Sequence, residues 1–325
     1  MQQLPNDLPA LNGALLINKP AEISSFGVIE ALQRELCARH GVKRSRLPKL
    51  GHGGTLDPFA TGLLIVCVGK AVKLARYFLG SQKSYEGMIR FGETTIPGDP
   101  TAPISETSET IPGSLEELQH MAKQMALQAY LQTPPMHSAK KRDGKPLYEL
   151  ARAGIEVERE PKLCHLYEFA FSEYQPPRAR FHMRCSSGTY VRVLAQDFAR
   201  LFGSVALVET LHRTRSGSFD IRNSCTLDQV IADKKNWAEL PCWIPFDQLL
   251  DGFPRASATA EEAREISQGK QQTLFNIVRR AESVADGNSE SSDRLVIYEG
   301  NRLLAIASRT ENLWSLERVF PTDEI

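Results

Sequence analysis

The stretch Gly51-His52-Gly53-Gly54-Thr55-Leu56-Asp57-Pro58-Phe59-Ala60-Thr61-Gly62 opens directly onto Leu63-Leu64-Ile65-Val66-Cys67-Val68. Three glycines within four residues free the backbone for positive φ and for close approach to a ligand. One carboxylate follows, Asp57, with Pro58 fixing the next backbone angle. An imidazole, His52, stands five residues before it. The apolar run behind them has the length of a buried strand. By spacing alone, an aspartate that caps a tight turn is the stronger reading of this loop.

Two catalytic loops fail here. The His-Gly-Gly run suits an esterase oxyanion loop, yet no Gly-x-Ser-x-Gly elbow occurs in the chain. A phosphate loop needs Gly-Lys followed by Ser or Thr, and Gly69-Lys70 is followed by Ala71.

Outward from the loop, Gly13-Ala14-Leu15-Leu16-Ile17-Asn18-Lys19-Pro20 reads as a buried strand stopped by proline. A helix follows with Ser24 or Ser25 as its cap and Phe26, Ile29, Leu32 and Leu36 on one face. Beyond the apolar run, Val72, Leu74, Ala75 and Phe78 indicate a short helix, and Tyr85, Gly87, Ile89 and Phe91 form one side of a strand. Residues 92–113, rich in Gly, Pro, Ser and Thr, leave the core. Ser114 and Glu117 form a capping box for the next helix. Pro146 and Gly154 bound another, Ala179, Phe181, Met183 and Cys185 alternate as a strand, and a further apolar strand covers about 204–211. A boundary falls near residue 250. Past it come a helix around Ala260–Ser267, a polar loop, and a hairpin of Leu295–Tyr298 and Leu303–Ile306. Strands and helices mix without strict alternation, which predicts an α+β fold.

Lysine plus arginine and aspartate plus glutamate each number 39, so the chain as a whole is no sink for polyanions. The positive charge is local instead: Arg39, Lys43, Arg44, Arg46 and Lys49 in one loop, Lys140, Lys141, Arg142 and Lys145 in another. Either reads as a solvated loop, but two on a neutral background suit a protein that meets phosphates on one face. The six cysteines show no two-residue spacing, which argues against a zinc ribbon, and His182 with Cys185 would face opposite ways on a strand. No run reaches the roughly 18 apolar residues of a membrane span. The N-terminus lacks the basic start and apolar stretch of a secretory signal, so a cytoplasmic protein is expected.

Residues 51–62 resemble the signature of the TruB-type tRNA pseudouridine synthases, and further segments match that family in order. They are Leu16–Pro20, Lys83-Ser84-Tyr85, Gln132–Lys141, Gly144–Glu149, Cys185–Arg192 and Leu211–Gly217. The resemblance implies a pseudouridine synthase catalytic fold over 1–250, with a central mixed sheet flanked by helices and a mobile RNA-clamping insertion at about 92–153. It also implies a small, mostly-β PUA-like module over 251–325. The implied reaction is isomerisation of the T-loop uridine of tRNA without cofactor or metal, by a monomer whose partner is the T-arm stem-loop.

On that resemblance Asp57 is the nucleophile, a role carboxylates fill in glycosyl chemistry. Arg192 pairs with it and keeps it ionised, and Tyr85 stacks on the base and relays its proton. Tyr190 and Leu211 line the uracil pocket, although both equally suit a core. His52 enters the RNA where the base has left. Lys19 supports the pocket or a phosphate, and Lys140, Lys141 and Arg142 meet the backbone. After the tyrosine strand, bacterial relatives carry an acidic stretch; here Thr94-Thr95-Ile96-Pro97-Gly98-Asp99 retains only Asp99. That stretch and the longer basic loop before Gly51 resemble eukaryotic relatives. An RNA chaperone, alone or beside the enzyme, and a nucleoside hydrolase are the competing readings.

Overall fold

The computed structural model describes residues 11–138, 141–142, 145–233, 236–284, 293–311 and 313–320. Its centre is a mixed sheet built from β1 (Gly13–Lys19), β2 (Thr61–Val68), β3 (Lys83–Phe91), β4 (Leu166–Gln175), β5 (Arg178–Cys185), β6 (Ala206–Ser216) and the short β7 (Cys225–Thr226), in the spatial order β4-β5-β3-β6-β2-β1-β7. Neighbours are antiparallel except β6 with β2 and β1 with β7.

The sheet has two halves, each with its own apolar cluster. Strands β1 and β2 are apolar along almost their whole length and buried on both faces, as such runs require. Helix α1 (Ser25–His40) packs Val28, Ile29, Leu32 and Leu36 into that cluster. In the other half, β5 alternates strictly: Ala179, Phe181, Met183 and Cys185 face inward while Arg178, Arg180, His182 and Arg184 face out. Its cluster is completed by α2 (Leu115–Ala126) and α3 (Val191–Arg200). Phe198 of α3 is fully buried among Phe169, Phe171, Phe91 and Phe202, with ring centroids 5.1–6.4 Å away. Such aromatic contacts add about 0.5–1.5 kcal/mol each to burial, so α3 is fixed rigidly behind the site.

The halves are joined by β6 and β2 through two parallel pairs only, His212 with Thr61 and Arg213 with Gly62. The approach is so close that a Cβ on Gly62 would lie 2.4 Å from the Arg213 carbonyl oxygen, and Gly62 adopts φ of 104°, open to glycine alone.

Several sequence expectations shift in the structure. Ser24 is the α1 cap, accepting from the Gly27 N–H, while Ser25 is buried and turned elsewhere. Phe26 is exposed rather than on the buried face, because at helical spacing that face runs through Ser25, Val28, Ile29, Leu32 and Leu36 and Phe26 points off it. The capping box at Ser114 is half formed: its hydroxyl accepts from the Glu117 N–H, but Glu117 accepts from Gly113 instead of Ser114. Residues 92–113 hold a small hairpin of Glu93–Thr95 and Ile104–Thr107. The strand expected to end at 211 continues to Ser216, since pairing with β3 holds its polar end too.

Past residue 250, β8 (Arg255–Ser257), β9 (Arg294–Glu299), β10 (Arg302–Thr310) and β11 (Leu313–Val319) form a second sheet. The expected helix Ala260–Ser267 is present, capped by Thr259 and Glu262. A further helix, Gln271–Val284, was not legible; it buries Leu274, Ile277 and Val278 against the sheet. Residues of β9 and β10 also join the first apolar cluster, and Asp247 ties the two sheets by accepting from the Leu303 N–H at 2.7 Å and, through its carbonyl, from the Tyr298 hydroxyl at 3.0 Å.

Replacing Gly62 by alanine is expected to cost about 3 kcal/mol or more, from left-handed strain plus the clash at the seam. Denaturant unfolding of Gly62→Ala against wild type measures it; an unchanged midpoint would show that the seam can relax.

Candidate active site

Asp57 stands on the loop that enters β2, just before the seam. The loop is tied from three sides. The Ser25 hydroxyl accepts from the Leu56 N–H at 2.7 Å and donates to the Leu56 carbonyl at 3.0 Å. The Asp57 carbonyl accepts from the Ala60 N–H, closing the turn around Pro58. Lys19, fully buried, donates from Nζ to the carbonyls of Pro20 and Ile23 at 2.7 Å and of Pro58 at 3.3 Å. Those three carbonyls take the three protons of its ammonium, so Lys19 braces the Asp57 loop and has none left for a phosphate. Burial pulls its pKa down to about 8, against the opposing pull of Asp57.

Arg192, in the first turn of α3, holds the Asp57 carboxylate at both oxygens: Nε lies 2.8 Å from Oδ2 and Nη2 3.3 Å from Oδ1. Its other donors reach the Pro97 carbonyl at 2.6 Å and the His137 carbonyl at 2.8 Å. The guanidinium's planar fork lets this one side chain grip both carboxylate oxygens and two carbonyls at once. A second carboxylate, Asp99, sits 3.5 Å from Arg192 Nη1. Asp99 is buried and fixed by the turn that the sequence marked as atypical: Thr95 accepts from the N–H groups of Gly98 and Asp99, and Asp99 accepts from the backbone and hydroxyl of Thr101. The Asp57 side chain keeps 34% of its surface open at the mouth of the site. Burial pushes its pKa up; Arg192 pulls it down and Asp99 pushes it up again, and the net direction is upward.

Tyr85 lies on β3 directly across from Arg213 on β6. Burial raises its phenol pKa, the Arg213 charge and hydrogen bond oppose this, and Asp57 acts in the upward direction. Tyr85 is thus within electrostatic reach of both groups. Leu211 is buried beside it, opposite Gly87. Tyr190 immediately precedes α3, half-buried, its phenol pushed up by burial and lying close enough to Asp57 and Arg192 to sense both charges. His52 ends a short strand paired to Val66; its Nδ1 is buried without a hydrogen-bond partner, and burial, then Arg213, lowers its pKa, so the ring is neutral at pH 7.

Arg213 is the residue that sequence reasoning passed over, although it lies inside the quoted Leu211–Gly217 segment. It is 2% exposed and donates to the carbonyls of Leu63 at 2.8 Å, Gly54 at 3.1 Å and Thr55 at 3.4 Å. A buried arginine on a strand carries no periodicity signal. Lys83, one turn of the pleat away from Tyr85, is likewise buried and caps the Ala75–Leu79 helix through the Phe78 and Leu79 carbonyls; burial and Arg213 bring its pKa to about 7.

Arg39 belongs to α1 and bonds Glu35 and the Asp233 carbonyl, whereas Lys43, Arg44, Arg46 and Lys49 are exposed. Lys140 lies outside the described residues. Lys141 and Arg142 form a two-residue strand with Lys145–Pro146, and their side chains are outside the described set. Among the described residues no group of His, Cys, Asp and Glu has the arrangement of a metal site, and no helix is long and apolar enough to cross a membrane.

The fold is that of the pseudouridine synthases. A chain from the crystal structure of a Cbf5-Nop10-Gar1 complex superposes with a TM-score of 0.68 over 99% of this chain and 92% of its own, at 18% identity. One from an archaeal box H/ACA sRNP Nop10-Cbf5 complex gives 0.65 over 99% and 94%, at 16%. The sequence narrows the class. The family model described as TruB family pseudouridylate synthase (N terminal domain) matches residues 41–191. The tRNA pseudouridine synthase B of Bordetella avium is 42% identical over 69% of this chain and 90% of its own length, and that of Burkholderia lata is 34% identical over 96% and 91%. The chain belongs to the TruB family of pseudouridine synthases. Both relatives are bacterial.

If Asp99 shares the field of Arg192 with Asp57, Asp99→Asn removes a like charge and lowers the Asp57 pKa, while Arg192→Gln raises it. Carboxyl-carbon NMR titration of Asp57 in both variants reads the two opposite displacements; movement in the same direction would refute the shared site.

Proposed function

We propose that this protein converts the T-loop uridine of tRNA, position 55, to pseudouridine with Asp57 as nucleophile. The observation that carries this is the Arg192-held Asp57 at a half-open mouth, with Tyr85 across the seam. The relatives named tRNA pseudouridine synthase B, similar over nearly the whole chain, supply the substrate class.

The reaction is an isomerisation, so nothing is added or lost overall. The bond from N1 of uracil to the ribose anomeric carbon breaks, the base turns, and C5 bonds to that carbon. The C5 proton then leaves and N1 gains one. An ionised carboxylate begins the sequence whether it attacks the sugar or the base, and Arg192 favours that form against the burial that opposes it. Tyr85 stacks on the base and passes its proton, Tyr190 and Leu211 bound the pocket, and neutral His52 fills the space the base vacates.

To reach Asp57 the nucleotide leaves its stack at a cost of a few kcal/mol. Stacking worth about 1–3 kcal/mol per base, with phosphate contacts from the exposed Lys43, Arg44, Arg46 and Lys49 and from Lys140, Lys141 and Arg142, offsets that cost. The insertion at about 92–153 clamps the RNA, and residues 251–325 act as a PUA-like module that contacts another part of the tRNA. The enzyme works as a cytoplasmic monomer.

The test uses an unmodified T-arm stem-loop, digested after reaction and resolved chromatographically, since product and substrate nucleosides have equal mass. Wild type gives pseudouridine at the T-loop uridine; Asp57→Asn gives none, at nearly unchanged RNA affinity. Turnover by the variant would remove Asp57 from its role, and free uracil would indicate a hydrolase. Refolding of tRNA assisted equally by both proteins would add a chaperone role.

The pH dependence follows from the raised Asp57 pKa. Activity needs the carboxylate, so kcat falls as pH drops through a pKa above the ordinary aspartate value near 3.8. Arg192→Gln moves this acid limb to higher pH. A limb that stays in place would show that another group controls it.

A further inference from the structure

Gln132 is 1% exposed, yet its amide is fully engaged. It ends the ribbon strand Tyr130–Gln132, paired with Lys162–Cys164, immediately before Thr133–Ser138. Its Nε2 donates to the Tyr190 carbonyl at 2.9 Å and its Oε1 accepts from the Tyr190 N–H at 2.7 Å, so one side chain grips both backbone groups of one residue. The second Nε2 proton reaches the Tyr130 hydroxyl at 2.9 Å, which donates to Asp197 Oδ2 at 2.8 Å. A reversed amide would set donor against donor and acceptor against acceptor at Tyr190, so the network fixes its orientation.

The grip falls where the catalytic helix has no cap of its own. Tyr190 stands at the N-cap of α3 without a side-chain cap bond, and Arg192 follows two residues later. The Tyr130 contact holds the same helix again at Asp197. Five residues beyond Gln132, His137 gives its carbonyl to Arg192 Nη2. Gln132, Tyr190, Arg192 and His137 therefore close a ring of chain and hydrogen bonds around the guanidinium that holds Asp57.

We propose that Gln132 is a positioning residue for the reaction: by clamping the Tyr190 backbone it sets the start of α3 and the span to His137, and so aims Arg192 at Asp57. This rests on the reading of Asp57 as nucleophile. The clamp is separable from folding, because α3 is anchored by Leu194, Ala195, Phe198 and Ala199 in the apolar cluster. Glutamine has the required chemistry and reach. Asparagine is one methylene shorter, and an ionised glutamate accepts from the Tyr190 N–H but has no proton for the Tyr190 carbonyl or the Tyr130 hydroxyl.

The experiment compares wild type, Gln132→Ala and Gln132→Glu on the T-arm stem-loop across pH, with melting temperature recorded for each. Gln132→Ala is expected to lower kcat about 10- to 100-fold, the scale of a small misplacement of reacting groups, with KM and melting temperature little changed. Gln132→Glu approaches wild type at acid pH, where its protonated carboxyl can donate, and its rate relative to wild type falls as pH rises. A raised KM at unchanged kcat would assign Gln132 to RNA clamping alone and overturn the proposal. A Gln132→Glu ratio constant with pH would do the same, and it decides the matter if the alanine variant does not fold. Failure of wild type to form pseudouridine sinks the functional reading instead; Asp57 NMR titration then still reads the clamp, since loss of Arg192's aim raises the Asp57 pKa and an unmoved value overturns it.

Discussion

The catalytic sheet is held together at a seam two residue pairs long, and the site exists because of what crowds into it. His212 and Arg213 of β6 lie parallel to Thr61 and Gly62 of β2, with the Thr61 hydroxyl 2.8 Å from His212 Nδ1. So few backbone bonds would make a weak join. The Arg213 side chain reinforces it, threading under β2 to the Leu63 carbonyl and on to Gly54 and Thr55. A buried guanidinium is tolerable only when its donors are satisfied. Here they are satisfied by the loop that leads to Asp57, so the position of the carboxylate and the integrity of the sheet share one cause.

The same buried charge governs its surroundings. Arg213 adds to the burial of Lys19, His52 and Lys83 in pulling each pKa down, and it opposes burial at Tyr85. Positive charge that would otherwise gather around Asp57 is thereby weakened, apart from the two arginines. Their work is divided. Arg213 spends its hydrogen bonds on backbone and shapes the loop, while Arg192 meets the carboxylate itself. Asp57 is left between opposing influences, raised by burial and by Asp99, lowered by Arg192. A carboxylate so balanced is less solvated than one in water and holds its proton more tightly than an ordinary aspartate.

Around that pair the fold has placed support on three separate chain segments. Ser25 from the first helix fixes Leu56, the 95–101 turn fixes Asp99, and the Gln132 to His137 segment reaches both Tyr190 and Arg192. None of these is close to Asp57 in sequence. The second sheet is bound to the same frame through Asp247 and through Phe246 against Phe320, with ring centroids 5.4 Å apart.

The sequence by itself determined the apolar strands β1 and β2, the alternation of β5, the helix at Ala260–Ser267 and the glycine loop with its lone carboxylate, because each is written in local periodicity or local turn chemistry. The resemblance of its ordered segments also singled out Asp57 and Arg192, which the structure brings within 2.8 Å. The tertiary structure alone decided the rest. Ser25 is buried and Phe26 exposed, the reverse of what their hydropathy suggests, since the face that the fold covers runs through Ser25, Ile29, Leu32 and Leu36. The polar end of β6 is a strand because β3 pairs with it. Arg213, Asp99 and Gln132 matter through partners 58 to 159 residues distant, and no local pattern encodes a contact across such separations. Lys19 shows the same limit in reverse: a lysine beside a strand invites a phosphate, and only the fold reveals three carbonyls already holding its ammonium.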